Sequence, residues 1–470
     1  MASMNVTAGT NPHAEDLRRI IRGLEVFVGL DFPRLREYYR THEEDRLCDL
    51  TRADGKGMVP CTRDAIRAIV SIADRHIASL ANPNDYSISD LAEAIRRRMV
   101  RAMIEEDSDE AILVRVLREG TEEIKKTHAE RVFHFPCALV SARNPESVSL
   151  GSVEFRPLAV FLKSNKDSFD KYVGSGDERE LHTAWVERFE KYGARYGWVA
   201  SVRVPACAPA NSQARAETVA STAINLIRLF LGAGHARDMR LAHSFSSSPL
   251  IYDFVVEEAA QFDLWATQNV PGAIVEDSWW DALRTRAPGL CVWGGALLEA
   301  ATREPTSEMV SRVVDGLSWF GEATFEASVG KQIAKFEAAL ERLTVTGRFA
   351  LHSFCARTAL LAYDPVQKDL EDCYWKAFEI HIARSQVVHG IVSSGSPLFR
   401  KSLQTAHEVA RTVLFRGLEI QWHLDRGRKP STRKSLDDFY NEQMSPHARL
   451  FSELRKELNV KHDLVRKSRS

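Results

Sequence analysis

The sequence contains little that points to cysteine or metal chemistry. Its seven cysteines are scattered from Cys48 to Cys373, and none forms a CxxC pair or joins histidines at the spacing of metal ligands. We therefore expect reduced thiols rather than disulfides, and neither a bound metal nor a cofactor. Reduced thiols are typical of the cytoplasm, where we expect the protein to work.

Long apolar runs and common catalytic signatures are also missing. No stretch approaches the roughly 18 apolar residues that span a bilayer. The N-terminal MASMNVTAGTNPHAEDL lacks the basic and apolar regions of a secretory signal. The chain has no nucleophile elbow, no Walker A loop and no HExxH motif. We therefore expect no membrane association and none of the reactions that depend on those three motifs.

Charge is balanced over the whole chain but not along it. The net charge is −1, yet residues 400–470 hold 16 Lys and Arg against 9 Asp and Glu. Arginines outnumber lysines by 46 to 17, and the planar guanidinium suits bidentate phosphate contacts. Either a nucleic-acid partner or a solvated basic tail accounts for this excess.

The pattern of apolar residues predicts an α+β fold that is mostly helical, and 470 residues predict two or three domains. We expect a flexible lead-in, a helical domain, an α/β domain with a connecting segment, a helical bundle, and a basic linker with a C-terminal helix. These occupy residues 1–12, 13–130, 131–300, 301–425 and 426–470. Strands are predicted in four places: RVFHFPCALVS, SVEFRPLAVFL, WVASVRVPA, and RLAHSFSSSP paired with LIYDFVVEE.

The C-terminal bundle consists of consecutive predicted helices between about residue 305 and residue 425. Gly or Pro separates most of them, and short connections favour antiparallel packing. The fourth helix ends in ARSQVVHGIV (383–392), where Arg384 and His389 precede Gly390, a residue typical of a helix C-terminus.

Arg384 and His389 are candidates for phosphate chemistry, although several Arg–His pairs in the chain have a similar spacing. Histidine exchanges protons near neutral pH. Two residues five positions apart on a helix point about 140° apart, so one helix cannot direct both at one small atom. A cleft between two copies of the helix would bring an Arg and a His together.

The bundle resembles the HEPN domain, in particular its Apea-like branch. The segments LSWFGEA (317–323), LERL (340–343) and YWKAFEIHIARSQVVHG (374–390) carry the resemblance, which covers about a quarter of the chain. In that superfamily an Arg and a His line a composite site at a dimer interface, and many members cleave RNA without metal.

The resemblance implies a metal-independent endoribonuclease that acts as a homodimer through the C-terminal bundle. Arg384 would contact the phosphate and stabilise transition-state charge, and His389 would act as general base or acid. Ser385 and Glu341 are the expected supporting residues, and Arg426, Arg428 and Lys429 of the basic linker are expected to bind RNA. RNA carries its own nucleophile in the 2′-hydroxyl, so proton transfer and anion stabilisation are sufficient. Proteins of this branch resemble prokaryotic defence or toxin-type nucleases, with the upstream 300 residues as sensor or regulator.

A non-catalytic interpretation of the bundle stays open. Many HEPN domains resemble docking, dimerisation or nucleotide-binding modules without catalysis. In that case Arg384 forms an ion pair with Glu379 or Glu341 inside the bundle, and His389 only caps its helix. Two further features have structural and functional interpretations: RRRMVR (96–101) is a solvated helix face or a phosphate site, and Trp279, Trp280 and Trp293 provide packing or base stacking.

Overall fold

The computed structural model has the predicted class: it is mostly helical, with antiparallel strand pairs. It describes residues 13–27, 30–45, 48–51, 58–105, 110–139, 146–174, 179–194, 196–232, 239–242, 250–257, 261–268, 279–303, 307–366, 368–426 and 431–467. Residue contacts divide the chain into two compact units, Met1–Arg131 with Val204–Ala214, and Val132–Arg203 with Arg215–Ser470. The predicted boundary after residue 130 lies next to this division, and the boundaries predicted after 300 and 425 lie inside the second unit.

The first unit is helical, with helices α1 (Ala14–Glu25), α2 (Phe32–Thr41), α3 (Arg63–Ala78), α4 (Ile88–Glu105) and α5 (Glu110–Lys125). Strands β1 (Asp49–Thr51) and β2 (Met58–Pro60) form a short antiparallel pair that we did not predict. Thr62 begins α3 by accepting a hydrogen bond from the Ala65 N–H, as N-cap residues do. Ile69 and Ile72 on one face of α3 are fully buried in the core of this unit.

A five-stranded sheet with the order β4-β5-β6-β3-β7 lies mainly in the second unit. The strands are β3 (Ala129–Ala138), β4 (Val148–Leu150), β5 (Val153–Pro157), β6 (Gly197–Cys207) and β7 (Arg240–Leu241). Phe155 of β5 lies opposite Ala200 of β6, and both side chains are fully buried. Four helices connect to this sheet: α6 (Leu158–Ser164), α7 (Lys166–Gly174), α8 (Arg179–Gly193) and α9 (Pro209–Leu231).

Two strand predictions need correction. The strand in SVEFRPLAVFL ends at Pro157, and α6 follows, because Leu158 and Phe161 are spaced to pack from one helix face onto Val199. In the predicted pair of RLAHSFSSSP with LIYDFVVEE, Arg240–Leu241 of the first segment pairs with β3, and residues 243–249 lie outside the described residues. Strand β8 (Leu250–Glu257) pairs instead with β9 (Gln261–Gln268), which we did not predict.

The rest of the second unit is helical. Its helices are α10 (Trp279–Arg286), α11 (Pro288–Ala301), α12 (Glu308–Phe325), α13 (Val329–Thr344), α14 (Leu351–Ala362), α15 (Leu370–Val388), α16 (Arg400–Asp425), α17 (Arg433–Met444) and α18 (Ala448–Lys467). Helices α12 to α16 are those predicted from residue 305 onward. Two helices, α17 and α18, follow residue 426 where the sequence indicated one. No helix in the described part of the chain is long and apolar enough to cross a membrane.

Helix α13 is held at its C-terminal end by side chains from its neighbours. The last carbonyls of a helix have no partner within the helix and need other donors. Arg312 donates to the carbonyls of Arg342 and Val345, Arg357 to that of Thr344, and Tyr440 to that of Leu343. Along its length α13 packs into the core of the bundle through the buried side chains of Ile333, Phe336 and Leu340. This helix is therefore a fixed support for the acidic residues it carries.

Candidate active site

The end of α15 has the geometry that Gly390 predicts. Gly390 adopts a positive φ of 67°. The Ile391 N–H donates to the Gln386 carbonyl at 2.9 Å, and the Gly390 N–H donates to the Val387 carbonyl at 3.1 Å. These two bonds form a Schellman motif with His389 as the C-cap residue. The predicted C-terminal cap is confirmed, and it fixes the backbone from which His389 projects.

The loop after His389 is tied back to the bundle. The Ser394 carbonyl accepts hydrogen bonds from the Gly330 N–H at 2.7 Å and from the Ser328 hydroxyl at 3.1 Å. A Cβ on Gly330 would lie 2.7 Å from Val387 Cγ2, so the start of α13 and the end of α15 pack closely there. The exposed His389 side chain therefore stands on a fixed segment.

Arg384 lies beside a buried carboxylate. Its Nε is 3.6 Å from Oε2 of Glu337 on α13, a side chain that is 0% exposed. The Arg384 side chain is 37% exposed, and among the described residues its guanidinium makes no hydrogen bond. Glu337 thus balances the charge of Arg384 and leaves its N–H donors for a ligand.

The expected ion-pair partners of Arg384 need correction. Glu341 and Glu379 were named from the sequence, and the structure places Glu337 at the ion-pair distance instead. Glu337 and Glu341 are four residues apart and share a face of α13. Glu337 is the deeper of the two, where its charge is least screened by water.

His381 also contacts this carboxylate, and sequence reasoning missed it. Its Nδ1 is 2.7 Å from Oε1 of Glu337, and its side chain is 15% exposed. The ring stacks against Phe349, with centroids 5.4 Å apart and planes inclined by 25°. His381 and Arg384 are three residues apart on α15, so they share a face of the helix. One buried carboxylate therefore holds both an imidazole and a guanidinium.

A signal for this cluster exists in the sequence. The buried face of α13 runs through Ile333, Glu337, Leu340 and Thr344, so an acidic residue stands within the apolar stripe. A buried acid requires a basic partner. His381 and Arg384 on the neighbouring helix satisfy that requirement.

Glu341 lies close to the cluster and responds to its charges. Partial burial raises the pKa of the Glu341 carboxyl, the charge of Glu337 raises it further, and Arg384 and His381 oppose these effects. Because the folded pKa lies above the ordinary value of 4.5, the folded state binds more protons than the unfolded state between the two values. Stability falls as pH rises through that window.

Glu341→Gln is expected to flatten this part of the pH profile. The amide does not ionise, so the variant keeps its stability as pH rises from 4.5, and at pH 7 its Tm exceeds that of the native protein. Thermal unfolding monitored by circular dichroism from pH 4 to pH 8 measures the effect. Glu442→Gln, on the exposed face of α17, is the matched control. Equal slopes for Glu341→Gln and the native protein would contradict the assignment.

The remaining predicted site residues are less closely grouped. Ser385 is half-buried on α15, and its carbonyl accepts from the His389 N–H at 3.1 Å. Arg426 ends α16, with its guanidinium carbon 4.8 Å from the centroid of the Trp422 ring. Arg428 and Lys429 lie outside the described residues. The structure thus brings Arg384 and Glu341 together with Glu337 and His381.

The other candidates have structural roles in the described chain. Arg97 and Arg98 of RRRMVR form ion pairs with Glu123 at 2.8 Å, and Arg98 also pairs with Glu119 at 2.7 Å. Trp279 is buried and packs edge-on against Trp280, with centroids 5.6 Å apart. The ion-paired helix face and the packing role are therefore the better interpretations.

Metal ligands are not grouped in this region. Among the described residues no set of three or more His, Cys, Asp or Glu side chains is placed to hold a metal ion. The seven cysteines are free thiols.

Comparison with known proteins adds no relative: no family model, no curated protein and no solved structure matches the chain. The HEPN resemblance therefore depends on the three sequence segments that carry it.

Proposed function

We propose that the protein is a metal-independent endoribonuclease, with Arg384 and His389 in the catalytic site of a homodimer. The observation that carries the proposal is the environment of the Arg384 guanidinium. Its guanidinium is partly exposed, makes no hydrogen bond within the described chain, and is held beside a buried carboxylate. An arginine that served only to pair with Glu337 would be stabilised most by two direct hydrogen bonds to the carboxylate.

The proposed reaction needs no external nucleophile. The 2′-hydroxyl of RNA attacks the adjacent phosphorus as a base removes its proton, and the bond from phosphorus to the 5′-oxygen breaks as that oxygen gains a proton. The products are a 2′,3′-cyclic phosphate and a 5′-hydroxyl. Arg384 stabilises the charge on the phosphoryl oxygens, and His389 transfers one of the protons.

A second copy of the chain completes the proposed site. On one α15 helix Arg384 and His389 point about 140° apart. Val388, Ile391 and Leu398, in the segment around His389, are exposed apolar residues that suit a contact with another copy. We place this activity in the cytoplasm, in a prokaryotic defence or toxin-type role, with RNA contacts from Arg426, Arg428 and Lys429. The alternative is a module that dimerises or binds nucleotides without cleaving RNA.

The test is cleavage of a 5′-labelled structured RNA in EDTA. We expect the native protein to produce 2′,3′-cyclic phosphate ends, and Arg384→Ala to cleave about 100-fold more slowly, since losing one stabilising donor group costs about 10²–10³ in rate. Arg416→Ala is the matched control, because Arg416 is also a partly exposed, ion-paired arginine of the bundle. Absence of cleavage by the native protein would favour the non-catalytic module.

A further inference from the structure

The proposed reaction requires two proton transfers, and His389 supplies one. A base must accept the proton of the 2′-hydroxyl, and an acid must protonate the departing 5′-oxygen. The second group has to lie near the same phosphate as Arg384. The reaction therefore needs a second proton-transfer residue among those that surround Arg384.

We infer that His381 is this second proton-transfer residue and that Glu337 positions it. The inference rests on the proposed function. His381 Nδ1 bonds to one oxygen of the Glu337 carboxylate, at 2.7 Å, and Arg384 Nε lies 3.6 Å from the other. The imidazole and the guanidinium thus contact the two oxygens of a single carboxylate, and in the proposed site one phosphate group lies against both.

The hydrogen bond to Glu337 decides which ring nitrogen of His381 reacts. A carboxylate accepts hydrogen bonds, so Nδ1 of His381 carries a hydrogen and donates a hydrogen bond to Glu337. Nε2 makes no hydrogen bond with the described residues and is the nitrogen that exchanges protons with RNA. A buried carboxylate also stabilises the imidazolium formed during turnover.

The surroundings hold the ring rigidly. Phe349 stacks on one face, and Phe354 lies with its centroid 6.3 Å from that of the imidazole. Glu337 is fully buried on a helix with a fixed C-terminus. A ring held on two sides and by one nitrogen is oriented before substrate binds, as proton transfer requires.

The experiment measures RNA cleavage by His381→Ala with and without added imidazole. We expect a rate about 100-fold below that of the native protein, and recovery of at least part of it with imidazole, which replaces the missing proton carrier. His352→Ala is the matched control. His352 is also a half-buried histidine of the bundle, bonded through Nδ1, at 2.9 Å, to the Tyr374 hydroxyl. We expect its variant to cleave at the native rate with no response to imidazole.

A second comparison tests the positioning role of Glu337. Glu337→Gln keeps the shape and the acceptor oxygen but loses the charge, so we expect a loss of rate that is smaller than the roughly 100-fold loss of His381→Ala. Combined with His381→Ala, it should cost less than it does alone, because the part of its effect that acts through His381 is gone and only its contact with Arg384 remains. The double variant therefore separates positioning from general packing. His381→Gln replaces His381→Ala if the smaller side chain prevents folding.

The outcomes separate this inference from the proposed function. No cleavage by the native protein overturns both. Cleavage by His381→Ala within about threefold of the native rate overturns the inference and leaves the nuclease intact. A loss that imidazole does not restore and that adds in full to the loss from Glu337→Gln assigns His381 a packing role, which also overturns the inference.

Discussion

His389→Ala is expected to cleave RNA about 10²- to 10⁴-fold more slowly than the native protein while keeping its fold. The imidazole transfers a proton in the transition state, and this is the usual size of that contribution. The side chain is exposed at the end of α15, so its removal costs at most about 1 kcal/mol of stability through the lost interaction with the helix dipole. Cleavage assays and thermal unfolding of the same preparation measure both quantities.

His423→Ala is the matched control for this change. His423 is also an exposed histidine in the last turn of a bundle helix, α16, and we expect its variant to cleave at the native rate. A loss equal to that of His389→Ala would indicate a general effect of histidine removal and would count against the site. Native cleavage by His389→Ala would contradict its proposed role directly.

Mixing variants tests whether the site is shared between two copies. If Arg384 of one chain works with His389 of the other, an equal mixture of Arg384→Ala and His389→Ala regains activity. After random exchange half of the dimers are mixed, and each mixed dimer has one intact site, so about a quarter of the native rate is expected. A mixture as inactive as its parts would place the whole site within one chain.

Arg312→Met is expected to produce the largest loss of stability, about 3–5 kcal/mol. Arg312 is 2% exposed and bonds through Nε to Glu308 at 2.8 Å. It also donates to the carbonyls of Arg342 and Val345, both at 2.7 Å. Methionine fills a similar volume but cannot donate, so these acceptors lose their partner inside the bundle. The midpoint of urea denaturation measures the loss.

Arg449→Met is a closely matched control. Arg449 and Glu453 form the same type of pair, an Arg and a Glu four residues apart on a helix, but Arg449 is 94% exposed. Exposed pairs contribute about 0–1 kcal/mol, so this variant should unfold near the native midpoint. Equal losses for the two variants would show that burial of Arg312 does not set its contribution.

Local signals in the sequence predicted much of the fold. The Gly390 cap, the succession of helices α12 to α16 and strands β3 and β6 each follow from short-range patterns. The predictions that were wrong concern partners. Leu158 and Phe161 suit a strand or a helix, and packing on Val199 selects the helix. Which strand pairs with LIYDFVVE depends on QFDLWATQ, the next strand along the chain, which lacked a clear strand pattern of its own.

The candidate site divides in the same way. Sequence determined that α15 ends next to His389 with a glycine cap and that Arg384 lies five residues earlier, because capping and helical spacing are local properties. Tertiary structure decided that Glu337, and not Glu341 or Glu379, faces Arg384, and that His381 shares that carboxylate. The depth of each acid in the bundle is set by how α13 packs on α15, and no residue on either helix specifies that alone.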